Sequence, residues 1–178
     1  MTNYERSLDY LQQVLALNQK HIPSLKLLSQ IYSLNHEYNE ALSYAKKVYE
    51  EECSTDNLKN IIIWTGKLGL IEELNSYETS SLCDNDVLYE IAHAFYINNK
   101  IDDAISVLEK NIPHEESQIL LGKIYFDNGD FDKAKEIFKN FPKTTQDARV
   151  LNYIGLFEMD DMNFIEAIKN FSKASSID

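Results

Sequence analysis

The stretch Gln118-Ile-Leu-Leu-Gly-Lys-Ile-Tyr-Phe-Asp-Asn-Gly-Asp-Phe-Asp-Lys-Ala-Lys-Glu-Ile-Phe138 holds a helix, a turn and a second helix in a minimal form. Leu121, Ile124 and Tyr125 fall at i, i+3 and i+4, and so do Ala134, Ile137 and Phe138, so each half carries one apolar stripe at helical period. Asn128-Gly129 breaks the pattern. Glycine takes the left-handed conformation that ends a helix, and the Asp130 side chain is a suitable cap for the next one. The spacing predicts an antiparallel helix pair in which Gly122 faces Ala134, two small residues that permit a close approach.

The same arrangement recurs along the chain. Leu25-x-x-Leu28-Ser29-x-x-Tyr32 precedes Tyr38-x-x-Ala41, with Asn35-His36-Glu37 between them. Leu88-x-x-Ile91-Ala92-x-x-Phe95 precedes Ile101-x-x-Ala104-x-x-x-Leu108, and Leu151-x-x-Ile154-Gly155 precedes Phe164-x-x-Ala167-x-x-x-Phe171. The small residue of the first helix stands at one fixed offset from the alanine of the second: Ser29 to Ala41, Ala92 to Ala104, Gly122 to Ala134, Gly155 to Ala167. Residues 55–84 are the weakest copy, because Leu74 replaces the alanine and Thr65 the aromatic. There Trp64, Gly66 and Gly69 predict an early end to the first helix, and the polar run from Ser76 to Asp86 predicts a longer connection and a bend.

Composition agrees with a helical reading. With 44% hydrophobic and 26% charged residues the chain has the balance of a globular protein, and its 5 Gly and 3 Pro are too few for many tight β turns. No apolar run approaches the ~20 residues of a membrane span. The opening Met-Thr-Asn-Tyr-Glu-Arg lacks the basic and apolar regions of a secretory signal, so membrane insertion is not expected and a cytoplasmic location follows by default. Cys53 and Cys83 are isolated thiols without metal or redox spacing, which suits a reducing compartment. The net charge of −12 argues against DNA and RNA, whose affinity comes from Lys and Arg neutralising phosphates. It suits solubility or the steering of a basic partner.

These residues resemble the tetratricopeptide repeat, whose pattern W-x-x-L-G-x-x-Y, then A-x-x-x-F, then P recurs at about 34 residues. The resemblance covers nearly the whole chain and implies an all-α fold, a right-handed superhelical stack of antiparallel helix pairs forming a single domain over 1–178. Its parts are a half repeat at 1–21 and repeats at about 22–54, 55–84, 85–114, 115–147 and 148–178. The half repeat rests on Tyr4, Ser7, Leu8, Leu11, Val14, Leu15 and Leu17, which match a second helix whose first helix is absent. Departures are Glu158 in place of an aromatic and the mostly missing helix-ending proline, with Gln19 in its place in the first segment. No polar cap helix follows Asp178, so the chain is expected to be a segment of a longer protein, and its uncapped ends offer a route to self-association.

No catalytic constellation is present in the sequence, and neither a metal site nor a cofactor is expected. His114-Glu115-Glu116-Ser117-Gln118 approaches the zinc-protease pattern, but Gln118 stands where the second imidazole must be. Gly66-Lys67-Leu68-Gly69 lacks the spacing of a phosphate loop. The resemblance therefore implies a non-catalytic interaction module that binds a protein or peptide in a concave groove lined by first helices. The alternative is a regulatory or sensory domain of a larger enzyme or transcription regulator. Opposite the packing stripe, the expected groove residues are Tyr89, His93 and Tyr96, then Ile119, Lys123 and Phe126, then Asn152 and Leu156, with Met159 beyond. Family members that clamp acidic C-terminal tails use Lys and Asn on successive first helices. Lys26 and Asn60 match and Gln30 stands in for an Asn, but Asp86 and Glu90 occupy the places of the completing cations, so such tails should not bind.

Overall fold

The structure, a computed structural model, describes residues 3–77 and 84–177. Among them it contains eleven α-helices and no strand, as the apolar spacing predicts: α1 Asn3–Leu17, α2 Ile22–Leu34, α3 Tyr38–Glu51, α4 Thr55–Lys67, α5 Ile71–Tyr77, α6 Asn85–Ile97, α7 Ile101–Lys110, α8 Glu115–Asp127, α9 Phe131–Lys139, α10 Ala148–Asp160 and α11 Phe164–Ser175. No helix of the described residues is long and apolar enough to cross a membrane.

The first helices α2, α4, α6, α8 and α10 are each 13 residues long. One joint ends them all. His36, Gly69, Asn99, Gly129 and Met162 have φ of 63°, 69°, 58°, 82° and 61°. In each case the next residue donates its N–H five residues back, from Glu37 to Tyr32 O, Leu70 to Thr65 O, Lys100 to Phe95 O, Asp130 to Tyr125 O and Asn163 to Glu158 O, at 2.8–3.1 Å. The left-handed residue itself donates three back, as in Gly129 N–H to Phe126 O at 3.1 Å. Together these are the two bonds of a Schellman ending, which satisfy carbonyls the helix would otherwise leave open. Asp130 makes no side-chain cap, contrary to the sequence reading. Its amide already closes α8 and its ψ of 59° is far from the extended backbone a capping side chain requires. True side-chain caps open first helices instead: Asp84 accepts from Val87 N–H (2.9 Å) and Asp147 from Arg149 N–H (2.8 Å).

Two further readings are corrected. A Cβ at Gly122 would lie 2.6 Å from Phe138 Cε2 and 2.7 Å from Cζ, so the glycine seats the Phe138 ring rather than facing Ala134. Gly155 seats Phe171 in the same way, at 2.7 Å. In the first pair the offset residues are hydrogen-bonded, Ser29 Oγ donating to Ala41 O at 2.9 Å. The early end expected for α4 does not occur. The helix continues through Gly66, where a Cβ would meet that of Ala94 at 2.6 Å, and closes at the left-handed Gly69. Of the expected polar connection, 78–83 lie outside the described residues, Cys83 among them.

The chain divides into two compact units, Met1–Val107 and Leu108–Asp178. In the first, α3 and α4 close Leu42, Ala45 and Ile61 into a core lined by Tyr49, Trp64, Leu68 and Tyr77. The leading helix α1 lies on α2 and leaves Leu17 exposed. In the second, Phe138 is fully buried between Gly122 and Tyr153, whose ring stacks on it at 4.4 Å.

Candidate binding surface

In the first unit the expected groove residues lie on α6. Tyr89 and His93 are one turn apart and half-buried, and their rings stack at 6.1 Å and 8°. Tyr96 continues the same side and is also half-buried. Burial holds the His93 ring below its ordinary pKa, and the charge of Lys67 adds to this. Burial pushes the Glu90 carboxyl up, with Asp86 adding and Lys59 opposing.

A second cleft of this unit, about 180 Å³, lies among α2, α3 and α4 and is lined by Lys26, Gln30, Asn60 and Trp64. Its lysine is engaged. Lys26 Nζ lies 2.7 Å from Glu52 Oε2, and the Asn57 side chain donates to the same oxygen at 3.2 Å, so Glu52 is held below the usual carboxylate range by Lys26 first and Asn57 second. Lys59 pairs with Asp56 at 3.0 Å and Asp86 at 3.5 Å. The Trp64 indole N–H is buried without a hydrogen-bond partner.

In the second unit the expected residues separate. Ile119 is buried, 5% exposed, and forms no part of an open face. Lys123 pairs with Asp127 one turn on. Phe126 is half-buried in an aromatic cluster, edge-on to Phe131 (5.3 Å), Tyr153 (5.2 Å) and Phe157 (5.9 Å), so its ring serves the packing of α8, α9 and α10. Asn152 is exposed and Leu156 half-buried. Leu156 and Phe126 wall a cavity of about 510 Å³ whose other apolar sides come from Phe131, Phe157, Met159, Met162 and Phe164. Sequence reasoning assigned Phe164 to a packing stripe and gave Met162 no role. The available signal was register, since Phe164 and Met162 stand where Phe131 and Gly129 stand in the preceding pair.

Among the described residues no three His, Cys, Asp or Glu side chains converge as a metal site would require. What both units offer is aromatic and aliphatic surface with a few amide and charged groups.

A family model described as tetratricopeptide repeat matches residues 115–140, which is α8 and α9. No curated protein sequence matches the chain. Among solved structures, PilF of Pseudomonas aeruginosa is 14% identical over 88% of this chain and 76% of that one, with a TM-score of 0.70. A tetratricopeptide repeat protein from Parabacteroides merdae is 16% identical over 98% and 72%, with a TM-score of 0.63. YrrB, described as a TPR protein with an unusual peptide-binding site, is 14% identical over 94% and 91%, with a TM-score of 0.53. At these identities the likeness is one of fold. Residues 115–140 carry a tetratricopeptide repeat, and the chain as a whole is similar in fold to tetratricopeptide repeat proteins.

Proposed function

We propose that the chain is a non-catalytic interaction module that holds a peptide or helical segment of a partner protein on the groove face of its first helices. The observation that carries this reading is the repetition of those helices, five of equal length closed by the same left-handed joint. Counted back from the joint, the same position is held by Gln30, Ile63, His93, Lys123 and Leu156, a column whose chemistry varies while its backbone does not. Varied side chains on a constant frame suit recognition of an extended segment. The description of YrrB as having a peptide-binding site supports the same use of this fold. In this reading the organisation is a half repeat at 1–21 and five repeats from about 22 to 178, working in a reducing cytoplasm where the exposed thiol of Cys53 stays free.

Selection from a random peptide phage library, followed by calorimetry on the selected sequences, tests the reading. Binding at a Kd of about 1–100 μM is expected. It should weaken by about tenfold in Tyr96→Ala or Leu156→Ala, a loss near 1.4 kcal/mol, with the helical circular dichroism unchanged. Enrichment of no peptide, or affinity unaltered by both substitutions, would overturn it.

A further inference from the structure

The second unit contains a template for how one of its faces is covered. On the pair α8 and α9 that face is built from Phe126, Phe131, Lys135 and Phe138, and α10 lies on it. Tyr153 stacks on Phe138 and meets Phe126 edge-on, Phe157 reaches both rings, and Asp161 just beyond the helix pairs with Lys135 and Lys139. The pair α10 and α11 repeats this face in register, with Met159, Phe164, Ile168 and Phe171 in those four places. Its inner packing is the same, glycine against a phenylalanine ring in both pairs. Its outer chemistry is not. Asp132 and Lys135 become Ile165 and Ile168, which are 83% and 66% exposed, and Met159 is 49% exposed where Phe126 is covered. Among the described residues no helix lies on this face.

Large aliphatic side chains at positions that elsewhere carry ions mark a surface that gains from being covered. The substitution also specifies the occupant. Lys135 receives an acid from α10, whereas Ile168 would leave such an acid desolvated and unpaired. Asp160 stands on the wall of the adjoining cavity and the chain carries a net charge of −12, which disfavours a second copy and favours basic groups at the rim. We propose that the outer face of α10 and α11 docks one amphipathic helix of a partner protein, seated as α10 is seated on α8 and α9. That helix carries aromatic residues in the places of Tyr153 and Phe157, an aliphatic residue in the place of Asp161, and Lys or Arg at its margin. This surface meets the groove face of the proposed function at Met159 and at the cavity that Leu156 walls, and its test rests on Ile165 and Ile168, which that reading does not use.

The test uses the full chain and two fluorescein-labelled synthetic peptides of residues 147–163, both with Asp160→Lys. One keeps Asp161 and the other has Asp161→Leu. In fluorescence anisotropy the leucine peptide should bind about tenfold more tightly than the aspartate peptide. Ile168→Lys, which restores the lysine of the preceding pair, should reverse that order, and Ile165→Asp should weaken both while helicity and melting temperature stay unchanged. Three results would overturn the proposal: no saturation of either peptide by about 1 mM, equal affinities unaffected by Ile168→Lys, or sedimentation showing a dimer that Ile168→Lys dissolves, which would give the face to a second copy.

Discussion

Gly122 has no room for a side chain, because Phe138 occupies the space on its α9 side and is itself fully buried. Gly122→Leu should therefore overpack the contact and cost about 1–3 kcal/mol, read as a fall in Tm. Gly129→Ala meets nothing within 4 Å and should cost only the left-handed backbone penalty, roughly 1 kcal/mol. Titration gives a second contrast at this scale. The folded-state pKa of Glu90 is raised by burial, so its contribution is present below the unfolded value and is lost as pH rises through the folded one. Glu90→Gln should then raise Tm at pH 7 and change little near pH 4. The folded-state pKa of His93 is lowered, so its contribution is present above the unfolded value and is lost as pH falls through the folded one. His93→Gln should flatten the decline in Tm between about pH 6.5 and pH 5; an unchanged decline would assign it to other groups. The small size of Gly122 was legible in the sequence, but its partner was not. A fixed offset along the chain pairs Gly122 with Ala134, whereas the ring that fills the space comes from Phe138 one turn later.

Among the elements, helix positions followed from apolar period almost everywhere, and the left-handed endings only where glycine announced them. His36, Asn99 and Met162 take the same conformation because the two closing hydrogen bonds and the docked second helix impose it against residue preference. Met162 bears the largest mismatch, being exposed and unbranched with no polar group to bond its own backbone. Met162→Gly should stabilise the protein by roughly 1 kcal/mol in denaturant unfolding. Asn99→Gly should gain less, since Asn tolerates this region. Phe126 shows the limit of periodicity. Counting turns places it opposite the stripe of Leu121, Ile124 and Tyr125, but a helix packed on two sides buries a wider arc, and α10 takes up the second side.

For the whole molecule, charge restricts the ligands. Lys26 and Lys59 are already paired with carboxylates, and the net charge is −12. A peptide ending in several acidic residues should show no micromolar binding by calorimetry, and a Kd in that range would contradict this electrostatic reading. The family model finds residues 115–140, the stretch where both the seating glycine and the glycine joint are written in the sequence. Elsewhere the backbone repeats and the letters drift. That repetition bears on how such a gene can lengthen or shorten. Excising residues 130–162 would join Gly129 to Asn163, so that one joint hands over to the helix start that normally follows another, and Phe171 would arrive over Gly122 in place of Phe138. The shortened chain should still pair α8 with α11. Excising 100–129 would match the joint equally well but bring Phe138 to Ala92, whose methyl group fills the place the ring needs. Recombination is thus free at the joints and filtered at the seats, and a unit that brings a phenylalanine ring is lost or gained in frame only where the receiving helix offers a glycine to seat it.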